Sequence, residues 1–312
     1  MKLKISWLAI DWGTTNFRAF AMNDNGESVD KIERELGLLQ IQNQQFDTQL
    51  KTLLKDWLVD FEHLPLFLGG MVGSKRGWVD AGYAAAPLLL SKLSHKGVQF
   101  AASWGALITI IPGVSYQNEH QQYDVMRGEE VQLMGALDTT QSANFLAVLP
   151  GTHSKHVLIE NGELQHFSTF MTGELYSLLS KQSILGRGFN CNANNQVSDA
   201  FYRGVREGQT EQITHRLFLT RTHRLFGNID HDEVLDYLSG LLIGNELKAL
   251  LPVYQQFKVN QSMPICIIGG EKISQRYILA CDELGIENKF IDGDECFISG
   301  MSTFRRGSKS CL

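Results

Sequence analysis

Short apolar runs separated by tight turns dominate the start of the chain. Residues 3–12 and Phe17–Met22 are apolar runs joined by the segment Asp11–Asn16, and Ser28–Glu35 follows the turn signal Asp24-Asn25-Gly26. Runs of this length, bounded by Gly, Asn and Asp, are typical of β-strands and hairpin turns. The pattern therefore predicts three strands that meander through one sheet.

Helical spacing follows this meander. Between Phe46 and Phe61 the apolar residues recur at helical intervals, which predicts an amphipathic helix. Short buried strands are predicted at 64–68 and 106–111, and a helix at Gly128–Leu137 has carboxylates in its first turn, where they suit the helix dipole. This order of strands and helices predicts a mixed sheet flanked by helices.

The pattern of the opening strands recurs in the second half of the chain. Leu8–Thr15 resembles Leu146–His153, since each is an apolar strand that ends in a Gly-Thr turn. The second copy continues with a strand at Lys155–Glu160, a turn at Asn161-Gly162 and a strand at Leu164–Thr169. Because the whole strand–turn order repeats, we expect two related halves.

The rest of the chain supplies the helices of the second half. Helices are predicted at 173–180, 205–218, 232–251, 272–284 and 295–304, and strands at 264–268 and 287–291. The simplest division is into an N-terminal α/β domain at residues 1–140 and a C-terminal α/β domain at residues 141–312.

The composition restricts the class of protein. The chain has 312 residues, of which 43% are hydrophobic, and its net charge is −6, so it can form a packed core and lacks the basic excess of a duplex-binding protein. Its five cysteines form no CxxC pair and no zinc-type cluster, which is typical of reduced thiols. No apolar run approaches the roughly 20 residues of a membrane span. We therefore expect a cytoplasmic protein that binds neither nucleic acid nor membrane.

A Gly-Thr turn follows the first strand of each half. Gly13-Thr14-Thr15-Asn16 and Gly151-Thr152 combine glycine, which lets backbone amides approach a ligand, with hydroxyl donors. Such turns suit a phosphate chain, whereas the GxxxxGK[ST] loop and a GxGxxG motif after a strand are both absent from the sequence. We expect the two turns to bind a triphosphate from both sides.

Asp11 stands at the end of the first predicted strand, beside the first turn. A buried carboxylate needs a cation or hydrogen bonds, and Mg²⁺ takes one or two carboxylates together with waters and phosphate oxygens. Asp11 is therefore the candidate that holds Mg²⁺ through water. The alternative is an Asx turn that stabilises the hairpin.

Motifs spread over nearly the whole chain match one family. The matching runs are Asp11–Arg18, Gly70–Ser74, Gly77-Trp78, Val125–Glu130, Leu149–Lys155, Phe170–Leu175, Leu238–Gly244 and Gly269-Gly270. Of these, Asp11–Arg18, Leu149–Lys155 and Gly269-Gly270 resemble the two phosphate motifs and the adenosine motif of the acetate and sugar kinase/heat-shock chaperone/actin superfamily. More narrowly, the other runs make the chain similar to the 2-dehydro-3-deoxygalactonokinase family.

The resemblance implies a fold, a reaction and cofactors. The implied fold is α/β, with two ribonuclease H-like domains hinged around an ATP cleft. The implied reaction transfers the γ-phosphate of ATP to the 6-hydroxyl of 2-dehydro-3-deoxy-D-galactonate in galactonate catabolism, with ATP and Mg²⁺ as cofactors. By the same resemblance, Gly151, Thr152 and His153 belong to the second phosphate motif, and Gly269 and Gly270 to the adenosine motif.

The candidate catalytic residues begin a predicted helix. In related sugar kinases a Gly-Asp-Gln begins the helix just before the second phosphate hairpin, and Gly128-Glu129-Glu130 matches it in place. The resemblance therefore implies that Glu129 is the catalytic base. Because glutamate is one methylene longer than the aspartate of related sugar kinases, Glu130 stays open as the alternative base. Arg127 is the candidate that binds the substrate carboxylate beside the base. The alternative role of both acids is to satisfy the helix dipole.

Further candidates for substrate binding are Arg18, Ser74, Lys75 and Trp78. Arg18 faces either phosphate or substrate, Lys75 is a carboxylate anchor or a solvated side chain, and Trp78 binds the sugar or packs in the core. Three of these lie in the glycine-rich segment Gly69–Pro87, which predicts a functional loop, with a plain linker as the alternative.

Other readings of the sequence stay open. His153 contacts phosphate or is simply a surface histidine. Gly240 and Gly244 allow a close helix contact, for which the helix of Gly135 is the candidate partner, and at that contact the domains either pivot or simply pack. The protein could phosphorylate another sugar acid or a hexose, or be an actin-like or chaperone-like nucleotide-regulated interaction protein. Its oligomeric state is undetermined, a homodimer being one option.

Overall fold

The structure is a computed structural model that describes residues 4–189, 197–257 and 263–309. Its strands are β1 (Trp7–Trp12), β2 (Phe17–Met22), β3 (Ser28–Arg34), β4 (Leu66–Gly69), β5 (Tyr83–Ala85), β6 (Leu88–Leu89), β7 (Val98–Ala101), β8 (Leu107–Ile110), β9 (Gly113–Gln117), β10 (Tyr123–Met126), β11 (Phe145–Leu149), β12 (Ser154–Glu160), β13 (Glu163–Phe170), β14 (Ile265–Gly269) and β15 (Asn288–Asp292). Its α-helices are α1 (Phe46–Trp57), α2 (Glu129–Thr140), α3 (Thr172–Gln182), α4 (Asp199–Glu207), α5 (Ile213–Leu217), α6 (Leu219–Leu225), α7 (Val234–Lys248), α8 (Leu250–Gln256), α9 (Glu271–Glu283) and α10 (Gly293–Lys309). Two of the cysteines, Cys191 and Cys311, lie outside the described residues.

The chain divides into two compact units. Unit 1 comprises residues 1–144, 159–166 and 293–312, and unit 2 comprises residues 145–158 and 167–292. The division into two domains at residue 140 stays a prediction. The compact units differ from it in that residues 159–166 and 293–312 group with unit 1.

Unit 1 is built on a mixed sheet with the strand order β3-β2-β1-β4-β8-β7. β1 pairs antiparallel with β2 and parallel with β4, as the predicted meander followed by a helix and a strand requires. Apolar side chains from β1, β2, α1 and β4, such as Ile10, Phe17, Leu50 and Leu68, form a single core cluster. The packed sheet fixes the end of β1, where Asp11 lies.

Unit 2 repeats this architecture. The strands β13-β12-β11-β14-β15 follow one another in its sheet, the same sequence of neighbours as β3-β2-β1-β4-β8 in unit 1, although residues 159–166 around the β12–β13 turn group with unit 1. The strands β14 and β15 add in parallel to β11, and α7 and α9 contribute to the core beside this sheet. The predicted α/β fold with mixed sheets flanked by helices is confirmed.

The last helix belongs to unit 1 because it packs tightly along α2. A Cβ atom at Gly135 would lie 1.8 Å from the carbonyl oxygen of Cys296, and one at Gly300 would lie 1.9 Å from that of Val131. Only glycine permits backbones to approach this closely. Composition alone does not reveal such a pairing between segments so distant in sequence.

The glycines of α7 face a different helix from the one predicted. A Cβ atom at Gly240 would lie 2.0 Å from the carbonyl oxygen of Phe201, and one at Gly244 would lie 2.3 Å from that of Val205. Both contacts are with α4, so the predicted contact with the helix of Gly135 is wrong. These glycines serve helix packing inside unit 2.

Two stretches differ in secondary structure from the predictions. The predicted loop at 69–87 contains β5, which joins β9 and β10 in a small three-stranded sheet. The predicted single helix at 205–218 instead covers the end of α4 and the whole of α5, which residues 208–212 separate. In the described residues, no helix combines the length and apolar character that crossing a bilayer requires.

Candidate active site

Two glycines bring the start of α2 next to the end of β1. Gly70 has a φ of +90°, and a Cβ atom there would lie 3.0 Å from Oδ1 of Asp11 and 2.8 Å from the carbonyl oxygen of Trp12. Gly128, with a φ of +110°, would place a Cβ atom 3.4 Å from the Cα atom of Gly70. These backbone conformations favour glycine, and they place Asp11 close to the first residues of α2.

The carboxylate of Asp11 is paired with Arg18. The two residues are partners in the β1–β2 register, and the Arg18 guanidinium donates to Oδ2 of Asp11, from Nε at 3.1 Å and also from Nη2. Arg18 Nη1 donates to Oδ1 of Asp294 at 2.5 Å. Burial lowers the pKa of Arg18, but Asp11 and Asp294 outweigh this effect and raise it above its usual value. Arg18 therefore binds two carboxylates of unit 1.

The surroundings of Asp11 fit a Mg²⁺ ion held mainly by water and phosphate. Oδ1 of Asp11 has no hydrogen-bond partner among the described residues, whereas Oδ2 is occupied by Arg18. In the same residues, no group of three or more His, Cys, Asp or Glu side chains could hold a metal ion. A single carboxylate is sufficient for Mg²⁺ that keeps several waters and binds substrate phosphates.

The first Gly-Thr turn is held from behind by backbone contacts. Gly13 N donates to Asn16 O at 2.9 Å, and the carbonyl oxygens of Gly13 and Thr14 accept from Leu38 N and Leu39 N at 2.9 and 3.2 Å. A Cβ atom at Gly37 would lie 2.3 Å from Thr14 O. With these carbonyls occupied, the exposed Thr14, Thr15 and Asn16 keep their side chains in solvent.

The second turn is held in the same way. A Cβ atom at Gly173 would lie 2.3 Å from Gly151 O, and Glu174 N donates to Thr152 O at 3.0 Å. Gly151, Thr152 and His153 are exposed. His153 Nε2 lies 2.5 Å from Oε2 of Glu174, so the acidic partner that sequence spacing did not show comes from the next helix.

Arg127 and Ser74 carry buried polar atoms in unit 1 that have no hydrogen-bond partner among the described residues. The Arg127 guanidinium lies 4.4 Å from the ring centroid of Tyr83, and its Nη2 donates to Gly82 O at 2.9 Å. Its Nε and Nη1 are buried and have no hydrogen-bond partner among the described residues, and the same is true of Ser74 Oγ. A Cβ atom at Gly73 would lie 3.1 Å from Arg127 Nη1, which places the guanidinium against the residue that precedes Ser74 in the chain.

Unpartnered buried donors of this kind are uncommon in folded proteins. Arg127 is only 9% exposed and Ser74 only 8%. A guanidinium in such surroundings binds a carboxylate strongly because water competes little. Two of the predicted substrate-binding residues therefore keep buried polar atoms that a ligand could satisfy.

The two acids at the start of α2 have different environments. Glu130 is fully buried, and Gly128 N donates to both of its carboxylate oxygens, at 2.9 and 2.7 Å. Burial, followed by the charge of Glu129, raises the pKa of Glu130 to about 8. Glu129 is half-buried, and its Oε2 accepts from Arg127 N at 3.0 Å. Of the two, Glu129 is the more accessible to a substrate hydroxyl.

The other two residues of the glycine-rich segment that were predicted to bind substrate have different surroundings. Trp78 packs in the core of unit 1, with its ring stacked 6.3 Å from that of Phe46 and edge-on 5.1 Å from that of Phe100. This arrangement is the packing role that the sequence left open for Trp78. Lys75 is exposed, as the solvated alternative predicts.

A large cavity of about 860 Å³ lies in unit 2. Its lining includes Gly151 of the second turn, Thr172 and Gly173 at the start of α3, Ser239 of α7, and Arg276 and Tyr277 of α9. Gly269 lies beside Pro150, since its Cβ atom would be 3.7 Å from Pro150 Cδ, and α9 begins directly after Gly270. The predicted phosphate and adenosine motifs of unit 2 therefore flank one cavity.

Several residues in or near this cavity were not identified from the sequence. Arg276 and Tyr277 share a face of α9 with Ile273, a spacing that the apolar pattern of the helix obscures. Glu246 was missed too, although one carboxylate among the apolar residues of α7 signals a buried polar contact.

Comparisons with known proteins agree on one family. The family model of 2-keto-3-deoxy-galactonokinase matches residues 11–304. The 2-dehydro-3-deoxygalactonokinase of Escherichia coli is 34% identical over 298 residues, which cover 95% of this chain and 96% of that protein.

Solved structures give the same picture of the fold. A crystal structure of a protein from Sinorhizobium meliloti, provisionally assigned as a 2-dehydro-3-deoxygalactonokinase, is 28% identical, with a TM-score of 0.84 over 98% of this chain and 99% of that one. An activator of 2-hydroxyisocaproyl-CoA dehydratase from Clostridium difficile, with bound ADPNP, is 12% identical, with a TM-score of 0.54 over 98% of this chain and 96% of that one. The second likeness is one of fold alone.

Proposed function

The chain belongs to the 2-keto-3-deoxy-galactonokinase family, and we propose on that basis that it transfers the γ-phosphate of ATP to the 6-hydroxyl of 2-dehydro-3-deoxy-D-galactonate. It is an ATP-dependent sugar-acid kinase. The particular sugar acid and hydroxyl follow from the relatives, and the geometry of the site supports a carboxylate substrate. We assign the enzyme to the cytoplasm, where MgATP and sugar acids are both present.

The observation that carries the proposal is the buried guanidinium of Arg127. Two of its nitrogens have no partner among the described residues, and the buried Ser74 Oγ has none either. A carboxylate bound there would satisfy these donors, and the sugar hydroxyls would extend towards the start of α2. A filament-forming or chaperone protein of the same superfamily has no need of such donors.

ATP binding is assigned to the two Gly-Thr turns and the cavity of unit 2. Amide and hydroxyl groups of Thr14, Thr15, Asn16 and Thr152 would donate to phosphate oxygens. The cavity behind Gly151 has room for a nucleoside. Asp11 would hold Mg²⁺ through water, and that ion, when bound, neutralises charge on the phosphates.

Glu129 is the proposed base. The substrate hydroxyl oxygen forms a bond to the γ-phosphorus while the bond from that phosphorus to the β,γ-bridging oxygen breaks, and ADP leaves with the bond's electron pair. The hydroxyl proton passes to the carboxylate of Glu129. Arg127 holds the substrate carboxylate during this transfer, so that the hydroxyl stays in line with the phosphate.

The test is a substrate panel assayed with MgATP. Purified protein is incubated with a series of 2-keto-3-deoxy sugar acids and hexoses, and ADP release is measured with each. We expect the highest kcat/KM with 2-dehydro-3-deoxy-D-galactonate and phosphorylation at its 6-hydroxyl. ATP hydrolysis that needs no sugar acid, together with ATP-dependent polymerisation, would instead identify the interaction protein.

A further inference from the structure

Unit 2 contains a fully buried carboxylate that the proposed chemistry does not use. The side chain of Glu246, on α7, is 1% exposed. Its Oε1 accepts from Ser154 Oγ at 2.6 Å and lies 2.9 Å from His156 Nε2. Its Oε2 accepts from Tyr277 OH at 2.7 Å. One acid thus connects α7 to β12 and to α9.

The partners of Glu246 come from the elements that border the nucleotide cavity. Ser154 begins β12 directly after the turn Gly151-Thr152-His153. Tyr277 lines the cavity, as does Thr172, which also reaches the Tyr277 hydroxyl. Burial, and then the charge of Glu246, raises the pKa of Tyr277 well above its usual value, so this hydroxyl remains a donor at all ordinary pH values.

A carboxylate in this position is unfavourable if its only role is to stabilise the fold. Burying a carboxylate costs several kcal/mol unless hydrogen bonds compensate, and apolar side chains of similar volume are often equally stable. The surrounding core is apolar, with Leu158, Ile243 and Ile267 in the same cluster. Unlike apolar contacts, the hydrogen bonds of the carboxylate are directional, so each of them fixes one element at a set distance and angle.

We propose that Glu246 is a positioning residue for the nucleotide, which fixes the second phosphate turn relative to the cavity wall formed by α9. Ser154 connects Glu246 to the phosphate turn, and Tyr277 connects it to the wall. The inference rests on the proposed function, since it assumes that ATP occupies this cavity. Loss of either bond lets the turn and the wall shift independently, so ATP binding weakens while Arg127 in unit 1 is unaffected.

A second carboxylate network in unit 2, which is only partly buried, supplies a control with the same chemistry. Glu207 accepts from Tyr237 OH at 2.5 Å and from Arg203 Nε at 2.8 Å, and lies 3.1 Å from His223 Nε2. None of these four residues lines the cavity. Tyr277→Phe and Tyr237→Phe therefore make the same chemical change, the loss of one hydroxyl from a carboxylate network, and only the first touches the nucleotide site.

The experiment measures ATP affinity by calorimetry, with kcat, both KM values and Tm, for the wild type, Tyr277→Phe, Ser154→Ala and Tyr237→Phe. We expect Tyr277→Phe and Ser154→Ala to weaken ATP binding by roughly tenfold, the loss of one hydrogen bond to a charged group. The KM for the sugar acid should stay unchanged. Tyr237→Phe should lower Tm by a similar amount and leave ATP affinity as in the wild type.

Other results overturn the inference. Wild-type ATP affinity in Ser154→Ala, whose side chain is buried outside the cavity, would mean that any effect of Tyr277→Phe is a direct contact. An equal loss in Tyr237→Phe would mean that general destabilisation is responsible. If the wild type itself binds no ATP, the proposed function fails first, and the role of Glu246 fails with it. Should Tyr277→Phe not fold, Ser154→Ala alone decides the question.

Discussion

Asp11 and Arg18 face each other across the β1–β2 hairpin, and the guanidinium of Arg18 donates to only one oxygen of the Asp11 carboxylate. The second oxygen, Oδ1, lies beside Gly70 and has no hydrogen-bond partner among the described residues. Arg18 therefore orients the carboxylate and leaves one oxygen for a hydrated cation. This arrangement leads to the first prediction.

We predict that Asp11→Asn raises the Mg²⁺ concentration needed for half-maximal activity and lowers kcat, because an amide attracts the hydrated ion much less than a carboxylate does. The measurement is a Mg²⁺ titration of turnover at saturating ATP and sugar acid. Asp294→Asn is the control, since Asp294 also binds Arg18 but lies at the start of α10. The same Mg²⁺ dependence in both variants would mean that Asp11 acts only through Arg18.

Replacement of Arg127 should mainly affect the sugar acid. Arg127→Ala removes two unpartnered buried donors, so we expect the KM for the sugar acid to rise by a factor on the order of 100, the loss of a charge-assisted contact. Steady-state kinetics with each substrate varied in turn check this. Lys75→Ala, at an exposed cation, is the control. An unchanged KM in Arg127→Ala would exclude this residue as the carboxylate anchor.

Replacement of Glu129 should affect chemistry rather than binding. Glu129→Gln keeps the shape of the side chain and removes the proton acceptor, so kcat should fall by about 10²–10⁴-fold, with little change in ATP affinity. Single-turnover phosphate transfer and nucleotide calorimetry separate the two effects. Full turnover in Glu129→Gln would move the base to another residue, and Glu130→Gln is the variant to compare next.

Glu130 should make the stability of the protein depend on pH. Its pKa is raised from 4.5 to about 8, so between these values the folded state keeps a proton that the unfolded state has lost. The free energy of unfolding should therefore fall as pH rises through this window, by at most about 1.4 kcal/mol per pH unit. Below the window both states are protonated, and above it both are ionised.

Urea unfolding at about pH 5 and about pH 8 measures this dependence. Glu130→Gln has no proton to lose, so its free energy of unfolding should change much less between the two conditions. Parallel pH dependence in the wild type and in Glu130→Gln would show that other groups are responsible.

The contact between α2 and α10 should tolerate no side chain at Gly135. A Cβ atom there would lie 1.8 Å from a backbone oxygen, so Gly135→Ala must push the helices apart and should cost more than about 3 kcal/mol of stability. Denaturant unfolding checks the change. Ser299→Ala, at the neighbour of Gly300 on α10, should cost less than about 1 kcal/mol. A small effect of Gly135→Ala would show that the helices separate easily.

The strands of the two repeated halves could be predicted from the sequence because their signals are local. Alternation and turn residues predict β1, β2 and β3, and the same pattern predicts β11, β12 and β13. The assignment of α10 to unit 1 depends on Gly135 and Gly300, which are far apart in the chain. No local pattern reports which distant helix a glycine faces.

The residues of the candidate site could likewise be predicted only where a local motif marks them. Asp11, Arg127 and Glu129 carry motif signals, and the structure places them around Gly70 and Gly128. Trp78 packs in the core, and Glu246 makes three hydrogen bonds. Both arrangements depend on long-range packing, which a single sequence does not display.

Gly37 and Gly173 press against the backs of the two Gly-Thr turns, and a methyl group at either position would lie 2.3 Å from a backbone oxygen. Neither glycine belongs to the turn that it supports, so a search for phosphate motifs would pass over both. In a selection for growth on the sugar acid with either codon fully randomised, glycine should be the sole survivor. Among natural members of this family, these two positions should therefore vary as little as the turns themselves.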